Sequence, residues 1–566
     1  MDRHAAKTGA ELLVETLAAQ GIDTTFGVPG ESYLAVLDAL YDSDLRFVLC
    51  RQEGGAAFMA EAWGKLTGTP GICFVTRGPG ATNAAIGVHT ARQNSTPMIL
   101  FVGQIARSMR GREAFQEVDY RAMFGDLAKW AVEIDEATRV PEIVARAMHT
   151  ALAGRPGPVV VALPEDMLVE RAPAATIRRP VVPRPPAADP ADIAAAAEML
   201  ADARRPLILI GGGGWDDPHT TPAPRAALDR LAEEAARAAI PLAVTFRCQD
   251  LVDNAAPVYV GDAGVGMPPH IKRMIREADV LLALNIRFGE NTTDGYTLLD
   301  APEPSQRLIH VHPSDGELGK IYQPALGCHA GPAAFASALA TAPLGAPDGR
   351  EAWLAEGRAA FLAGLDLPPQ PAGLDMGAVM AVLRDRLPAD AILTNGAGNF
   401  AIWPSRLFLY GPGHRLIAPQ SGAMGYGLPA AVAAKIRHPG RAVVCFAGDG
   451  DIQMTMQELG TAMQAGAQPV VLVVNNGSYG TIRMHQERHY PARVSGTEIV
   501  NPDYPAIGRA YGMHAERIDR TESFAEAFER ALVSPTGALL ELVQPTEALT
   551  PRQTLSQMRN AALAAT

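Results

Sequence analysis

The feature that most limits what this chain can fold into is a recurring alternation of short apolar runs with alanine-rich helical stretches. RFVLC, GICFVT, PMILFVG and PVVVALP stand in the first part, and PLILIGG, LAVTF, VLLALN and RLIHVH in the middle. AILTN, AVVCFAGDG, PVVLVVNN and ALLELVQ follow in the last. Such runs read as strands buried on both faces, and strands that alternate with helices build doubly wound parallel α/β sheets. Two proline-rich stretches interrupt the pattern. The first, residues 171–192, is too rich in proline for a helix or a central strand. The second, about 343–371, encloses a helical patch around Glu351–Leu362. Three segments of domain size result, as expected for 566 residues, a length at which one core no longer grows.

Composition narrows the partners. A net charge of −12 argues against nucleic acid or an anionic membrane surface, both of which call for a basic face. Small anionic substrates stay open, because the field in a cleft can oppose the net charge. The five cysteines (Cys50, Cys73, Cys248, Cys328 and Cys445) are odd in number, far apart and without a CxxC pair. That pattern points to reduced thiols in a cytoplasmic protein, not to disulfides or a zinc site. The N-terminal MDRHAAKTGAELLVETLAAQG reads as an amphipathic helix without a cleavable apolar core, and no apolar run is long enough to span a bilayer. No repeat of solenoid period is visible.

Ligands on open parallel sheets bind beyond the carboxyl ends of the strands, so chemistry is sought just after the apolar runs. In AGDGDIQMTMQELGTAMQAGAQPVVLVVNNGSYG, residues 447–480, one strand ends in Gly448-Asp449-Gly450 and the next in Asn475-Asn476, with a helix between them. This connection sets Asp449 and Asn476 side by side. One carboxylate and one amide oxygen are too few for an all-protein cage. They suit Mg²⁺, which fills an octahedron of oxygens with water and phosphate. The plain alternative is a glycine turn and a polar strand end. It would suffice for GDG alone, but not for the whole ordered pattern.

GDG followed by NN in this arrangement resembles the signature of thiamine-diphosphate enzymes, and the resemblance covers nearly the whole chain. It implies that Asp449, Asn476 and the carbonyl of Ser478 hold the metal that clamps the cofactor diphosphate. In LTNGAGNFAIWP, residues 393–404, a glycine-rich turn precedes a helix and offers amides to an anion. By resemblance Ala397, Gly398, Asn399 and Phe400 contact the diphosphate, helped by Gly450, Asp451, Gly480 and Thr481. PQSGAMGYGLPAAVAAK is similar to the GxMGxxLPAA segment of acetolactate synthases. There an apolar residue at the place of Met424 bends the cofactor, and the carbonyl of Gly422 accepts from its 4′-amino group. As a bare residue, Met424 would read as core filler.

In the first segment, CRQEGGAAFMAEAWGKLTG places Glu53 after a strand and before a helix. The bland role there is a first-turn acid favoured by the helix dipole. The resemblance instead makes Glu53 the partner of pyrimidine N1′, the group that starts proton transfer toward the ylide. Gly30 and Thr76 sit at strand-end turns near the cofactor, and Gln116 lies in a loop that approaches the active site in relatives. Implied domains are a pyrimidine-binding domain (1–178), a middle Rossmann-like domain (190–342) and a diphosphate-binding domain (372–550). The implied assembly is a homodimer or homotetramer in which Glu53 and Asp449 of one site come from two chains.

Several features depart from parts of the family. The chain lacks the adjacent His-His pair of pyruvate decarboxylases, and Glu53 separates it from glyoxylate carboligases. Both lean toward carboligation of 2-oxo acids. Branched-chain synthases carry a tryptophan shortly after NN, where this chain has His485. His485 and His89 are candidate substrate contacts; an ordinary solvated or core histidine is the equal alternative for each. In the middle segment, four glycines in LILIGGGGW are a weak dinucleotide signal without an acid in ribose position. NIRFGENTTDGY keeps Arg287 and Phe288 of the flavin-containing relatives but not their acidic pair, so FAD stays an open alternative without support. Rival readings are a decarboxylase or acyloin lyase of the same family, a nicotinamide dehydrogenase using Gly211–Gly214, and a non-catalytic cofactor-binding regulatory protein. The dehydrogenase leaves GDG…NN and Glu53 without a purpose, and the regulatory protein predicts their loss.

Overall fold

The computed structural model describes residues 6–173, 180–216 and 223–565. It contains three six-stranded sheets, each parallel throughout. The first runs in the order Arg46–Leu49, Thr24–Gly27, Gly71–Val75, Met98–Gln104, Pro158–Pro164, Trp130–Glu133. The last runs Arg415–Ile417, Ile392–Asn395, Val443–Gly448, Val470–Asn475, Ala538–Val543, His514–Ile518. Counted along the chain, both have the order 2-1-3-4-6-5. The middle sheet has the order 3-2-1-4-5-6, the arrangement of dinucleotide-binding folds. Its strands are Tyr259–Ala263, Leu242–Thr245, Pro206–Ile210, Val280–Leu284, Arg307–His312 and Leu326–His329.

Strand burial follows the two-residue period. In Gly71–Val75, Ile72 and Phe74 pack into one core while Cys73 and Val75 pack into another. Val444 and Phe446 likewise oppose Val443, Cys445 and Ala447. In the middle sheet Leu281 and Ala283 oppose Val280, Leu282 and Leu284. Each sheet therefore carries a core on both faces, which requires helices on both sides. One core is common to the first and last sheets: Phe26, Val75 and Leu100 share it with Ile392, Cys445 and Val471. The helices Glu53–Thr67, Gly78–Asn94 and Gly427–Arg437 lie in this shared layer, so the N- and C-terminal domains of one chain are joined by apolar burial.

All twelve apolar runs read as strands are strands. RFVLC differs in its surroundings, because Arg46–Leu49 is an edge strand with Arg46 exposed and only Val48 fully buried. In the six-stranded sheets six strands went unread: Thr24–Gly27, Trp130–Glu133, Tyr259–Ala263, Leu326–His329, Arg415–Ile417 and His514–Ile518. Five of these are edges of their sheets, where one unpaired side relaxes the demand for an apolar run. Within the first proline-rich break, residues 174–179 lie outside the described residues, and 180–189 form neither helix nor strand. The helical patch of the second break is the helix Arg350–Ala363. It is docked, not free: Arg350 is wholly buried and donates to the carbonyls of Leu200, Ala203, Ala238 and Leu344. No helix among the described residues is long and apolar enough to cross a membrane.

Candidate active site

A sheet whose strand order reverses leaves a crevice between the loops that leave in opposite directions. In the first sheet the reversal falls between Thr24–Gly27 and Gly71–Val75. Gly30 and Thr76 follow these strands and meet there, so that a Cβ on Gly30 would stand 2.5 Å from Thr76 Cβ. The Ser32 hydroxyl lies 2.9 Å from that of Thr76. Glu53 begins the helix Glu53–Thr67, whose N-terminus is capped by Gln52 through the Gly55 amide at 3.0 Å. Its carboxylate is half-buried and accepts 2.9 Å from Asn83 Nδ2. Gln116, half-buried with φ of +64°, accepts at its carbonyl from Gly78, the first residue of the helix Gly78–Asn94. The loop that carries it is tied by Glu117, which accepts from the amides of Gly111 and Ala114; these bonds hold its carboxyl below the usual range.

In the last sheet the reversal falls between Ile392–Asn395 and Val443–Gly448. Asp449 follows the second of these, is 2% exposed, and accepts 2.8 Å from the amide of Gly477. That bond draws the turn Asn476-Gly477-Ser478 against the carboxylate. Gly477 has φ of +67°, so the turn needs a residue without a Cβ penalty. The Asn476 side-chain oxygen accepts from the Ser478 amide at 3.0 Å, and the Ser478 carbonyl lies in the same turn. The Asp449 carboxylate and this turn together offer hard oxygen donors of the kind that Mg²⁺ takes, with water and phosphate completing its shell. Burial pushes the Asp449 carboxyl up, the direction that a nearby cation reverses.

The diphosphate-side turns are tied together by Asp451. Its carboxylate is 2% exposed, and one oxygen accepts from Ala397 at 3.0 Å and from Gly425 at 2.9 Å. A Cβ on Gly396 would lie 2.0 Å from that oxygen, which explains the glycine. Burial pushes this carboxyl up to about 7, while the two amides pull the other way. Accepting from both amides, the side chain holds the two turns together. Asn399 accepts 2.6 Å from the Thr481 hydroxyl, joining the turn before the helix Gly480–His489 to Gly398 and Phe400. Gly450 is the second residue of the short helix Asp449–Ile452 and packs beside Tyr479. The loop with Gly422 and Met424 follows, Gly422 exposed and Met424 half-buried.

Two side chains that the sequence reading passed over complete this half. Asn501 donates 2.8 Å to Asp449 and 2.9 Å to Asn475, and the Tyr504 hydroxyl donates 2.9 Å to the Asp449 carbonyl. They sit some fifty residues after Asp449 with no fixed spacing to signal them. Asn475, the first residue of NN, is engaged with Glu541 at 2.6 Å and belongs to the scaffold. Of the two histidines, His89 is half-buried on the helix Gly78–Asn94. His485 is exposed and stacks on His489 at 6.1 Å.

Three domain models of one family match the chain in succession. The N-terminal TPP binding domain of thiamine pyrophosphate enzymes matches residues 7–123, their central domain 193–339, and their C-terminal TPP binding domain 396–542. The acetolactate synthase large subunit of Parasynechococcus marenigrum is 31% identical over 96% of this chain and 88% of its own length. Acetolactate synthase isozyme 2 large subunit of Escherichia coli is 31% identical, over 94% of this chain and 95% of its own. A probable acetolactate synthase large subunit of Methanocaldococcus jannaschii is 30% identical, over 96% and 93%. The chain belongs to the thiamine pyrophosphate enzyme family.

Within this thiamine pyrophosphate enzyme the middle sheet has its own reversal, between Pro206–Ile210 and Val280–Leu284. A cavity of about 640 Å³ and a second of about 390 Å³ lie there and share Gly212 and Gln420. The glycine turn that resembles a nucleotide loop is packed against protein: Gly211 on Thr245, Gly212 on Asn285 and Gly213 on Ser95. Arg225 and Arg415, which line the larger cavity, are paired with Asp216 and Asp250. Packing therefore accounts for these glycines and ion pairs without a flavin. Asp451→Ala frees two turns and should weaken thiamine diphosphate binding about tenfold or more, whereas Asp451→Asn keeps an acceptor and should stay within about threefold. Titration calorimetry in the presence of Mg²⁺ checks this.

Proposed function

We propose that this protein is a thiamine-diphosphate- and Mg²⁺-dependent carboligase of 2-oxo acids, joining pyruvate to a second carbonyl to give acetolactate or a related acyloin. The observation that supports the reading is the Gly477 bond to Asp449, which brings the turn Asn476-Gly477-Ser478 against that carboxylate. Bound thiamine diphosphate supplies a nucleophilic carbon and a sink for the electrons left when a 2-oxo acid loses CO₂. Asp449, Asn476 and the Ser478 carbonyl hold Mg²⁺. The amides around Ala397–Phe400, Gly450, Asp451 and Gly480, with the Thr481 hydroxyl, face the diphosphate. Glu53 would move a proton at the pyrimidine N1′, the Gly422 carbonyl would accept from the 4′-amino group, and Met424 would support the cofactor rings. His89, Gln116 and His485 are assigned to the substrate side.

The site forms between two copies, in a homodimer or homotetramer. Exposed apolar side chains support this on both halves: Leu34, Ile86 and Phe115 on the N-terminal one, Met454, Ile482 and Val500 on the C-terminal one. The protein works in the cytoplasm, where five buried free thiols persist. A decarboxylase reading has one observation on its side, the stacked His485–His489 pair. Partial desolvation, with Arg488 and His489 nearby, moves the His485 pKa below its ordinary value.

Asp449→Ala should weaken Mg²⁺-dependent cofactor binding by more than about 100-fold, the scale of lost metal-site contacts. Cofactor retained after dialysis of this variant against a chelator would refute the metal assignment. With saturating pyruvate the wild-type enzyme should give acetolactate as the main product by chromatography of the quenched reaction. Acetaldehyde as the main product, or no turnover of pyruvate, would overturn the carboligase reading.

A further inference from the structure

We propose that Glu458 and Glu61, two carboxylates sealed in the seam between the N- and C-terminal domains of one chain, are positioning residues for the two halves of the active site. The inference rests on the cofactor reading above and deepens it. Both residues are 0% exposed. Glu458 begins the helix Glu458–Ala465 of the C-terminal domain, yet accepts from the amide of Arg51 in the N-terminal domain, at 3.3 and 3.2 Å to its two oxygens. The Thr461 hydroxyl orients it at 2.6 Å. The Arg51 guanidinium reaches back to the Gly460 carbonyl at 3.3 Å and Gln464 at 2.7 Å. A Cβ on Gly55 would stand 2.5 Å from the Glu458 carboxylate, so the turn that presents Glu53 is shaped around it.

Glu61 performs the reciprocal task. It lies about two turns along the helix that Glu53 begins, and it accepts from Asn94 Nδ2 at 2.7 Å and from the Tyr426 hydroxyl. Asn94 in turn accepts 2.6 Å from the Gln420 amide, and the Thr90 and Ser421 hydroxyls lie 3.0 Å apart. Lys65 donates 3.1 Å to the Ala418 carbonyl. The segment 418–426, which carries Gly422 and Met424, is thus held from the N-terminal domain. Apolar residues would fill such a seam at lower electrostatic cost. What the carboxylates add is directed, charge-assisted bonding, which fixes orientation at both ends. Neither touches the cofactor side directly; each acts through the segment it holds.

The test uses the full-length protein loaded with thiamine diphosphate and Mg²⁺, and reads hydrogen–deuterium exchange at the cofactor C2 by NMR after acid quench. Cofactor affinity and thermal stability are measured in parallel. Glu458→Ala should slow exchange about 100-fold with affinity held within about threefold, the effect of a displaced catalytic group. Glu458→Gln, which keeps an acceptor, should recover most of the rate. Thr461→Val and Tyr426→Phe each remove only a hydroxyl and should slow exchange about tenfold; they decide the matter if Glu458→Ala does not fold. Wild-type exchange rates in these cofactor-loaded variants would overturn the positioning role. Absence of accelerated exchange in the wild-type protein itself would instead refute the cofactor reading.

Discussion

Everything in this molecule hangs on a geometric property of parallel sheets: all strands release their chains at one edge, and a reversal of strand order leaves two neighbouring loops diverging. The outer sheets share one order, and each has its crevice after its first and third strands. Gly30 and Thr76 lie at one crevice, Ala397–Phe400 and Asp449 at the other. The first holds the Glu53 carboxylate, bonded to Asn83, and the second holds the Asp449 carboxylate, bonded to the Gly477 amide.

What fixes the two crevices relative to each other is the shared core. Phe58 and Tyr426 pack edge to face at 5.3 Å across it, beside the buried Glu61. Apolar contact supplies the adhesion between the domains, which is non-directional. The few buried polar contacts supply direction. The N- and C-terminal domains of one chain are consequently held in one orientation. The middle domain stands outside this logic. Its own reversal holds cavities, but its glycines and ion pairs are already used in packing.

The sequence disclosed the parts of this scheme that are local. Runs such as GICFVT and AVVCFAGDG are legible because a strand buried on both faces tolerates little but apolar residues. Edge strands such as Arg415–Ile417 and His514–Ile518 are short or half polar, and they escaped. The pair Asp449 and Asn476 was legible because their strands are adjacent in the sheet and the helices Asp449–Ile452 and Glu458–Ala465 link them within a short stretch of chain. Asn501, Tyr504 and the Asp451 contacts depend on chain segments brought together only by the tertiary fold. So does the identity of strand order between the outer sheets, which no period in the sequence betrays.

The central claim is that one catalytic site draws Glu53 from one chain and Asp449 from another. It is tested most directly by mixing two inactive proteins, Glu53→Gln and Asp449→Ala, under conditions that let subunits exchange, and assaying pyruvate consumption. A mixed dimer contains one site with both groups intact, so activity should return well above that of either variant alone. Subunit exchange confirmed by differently tagged chains, without any return of activity, would contradict the account and place both groups of a site in a single chain.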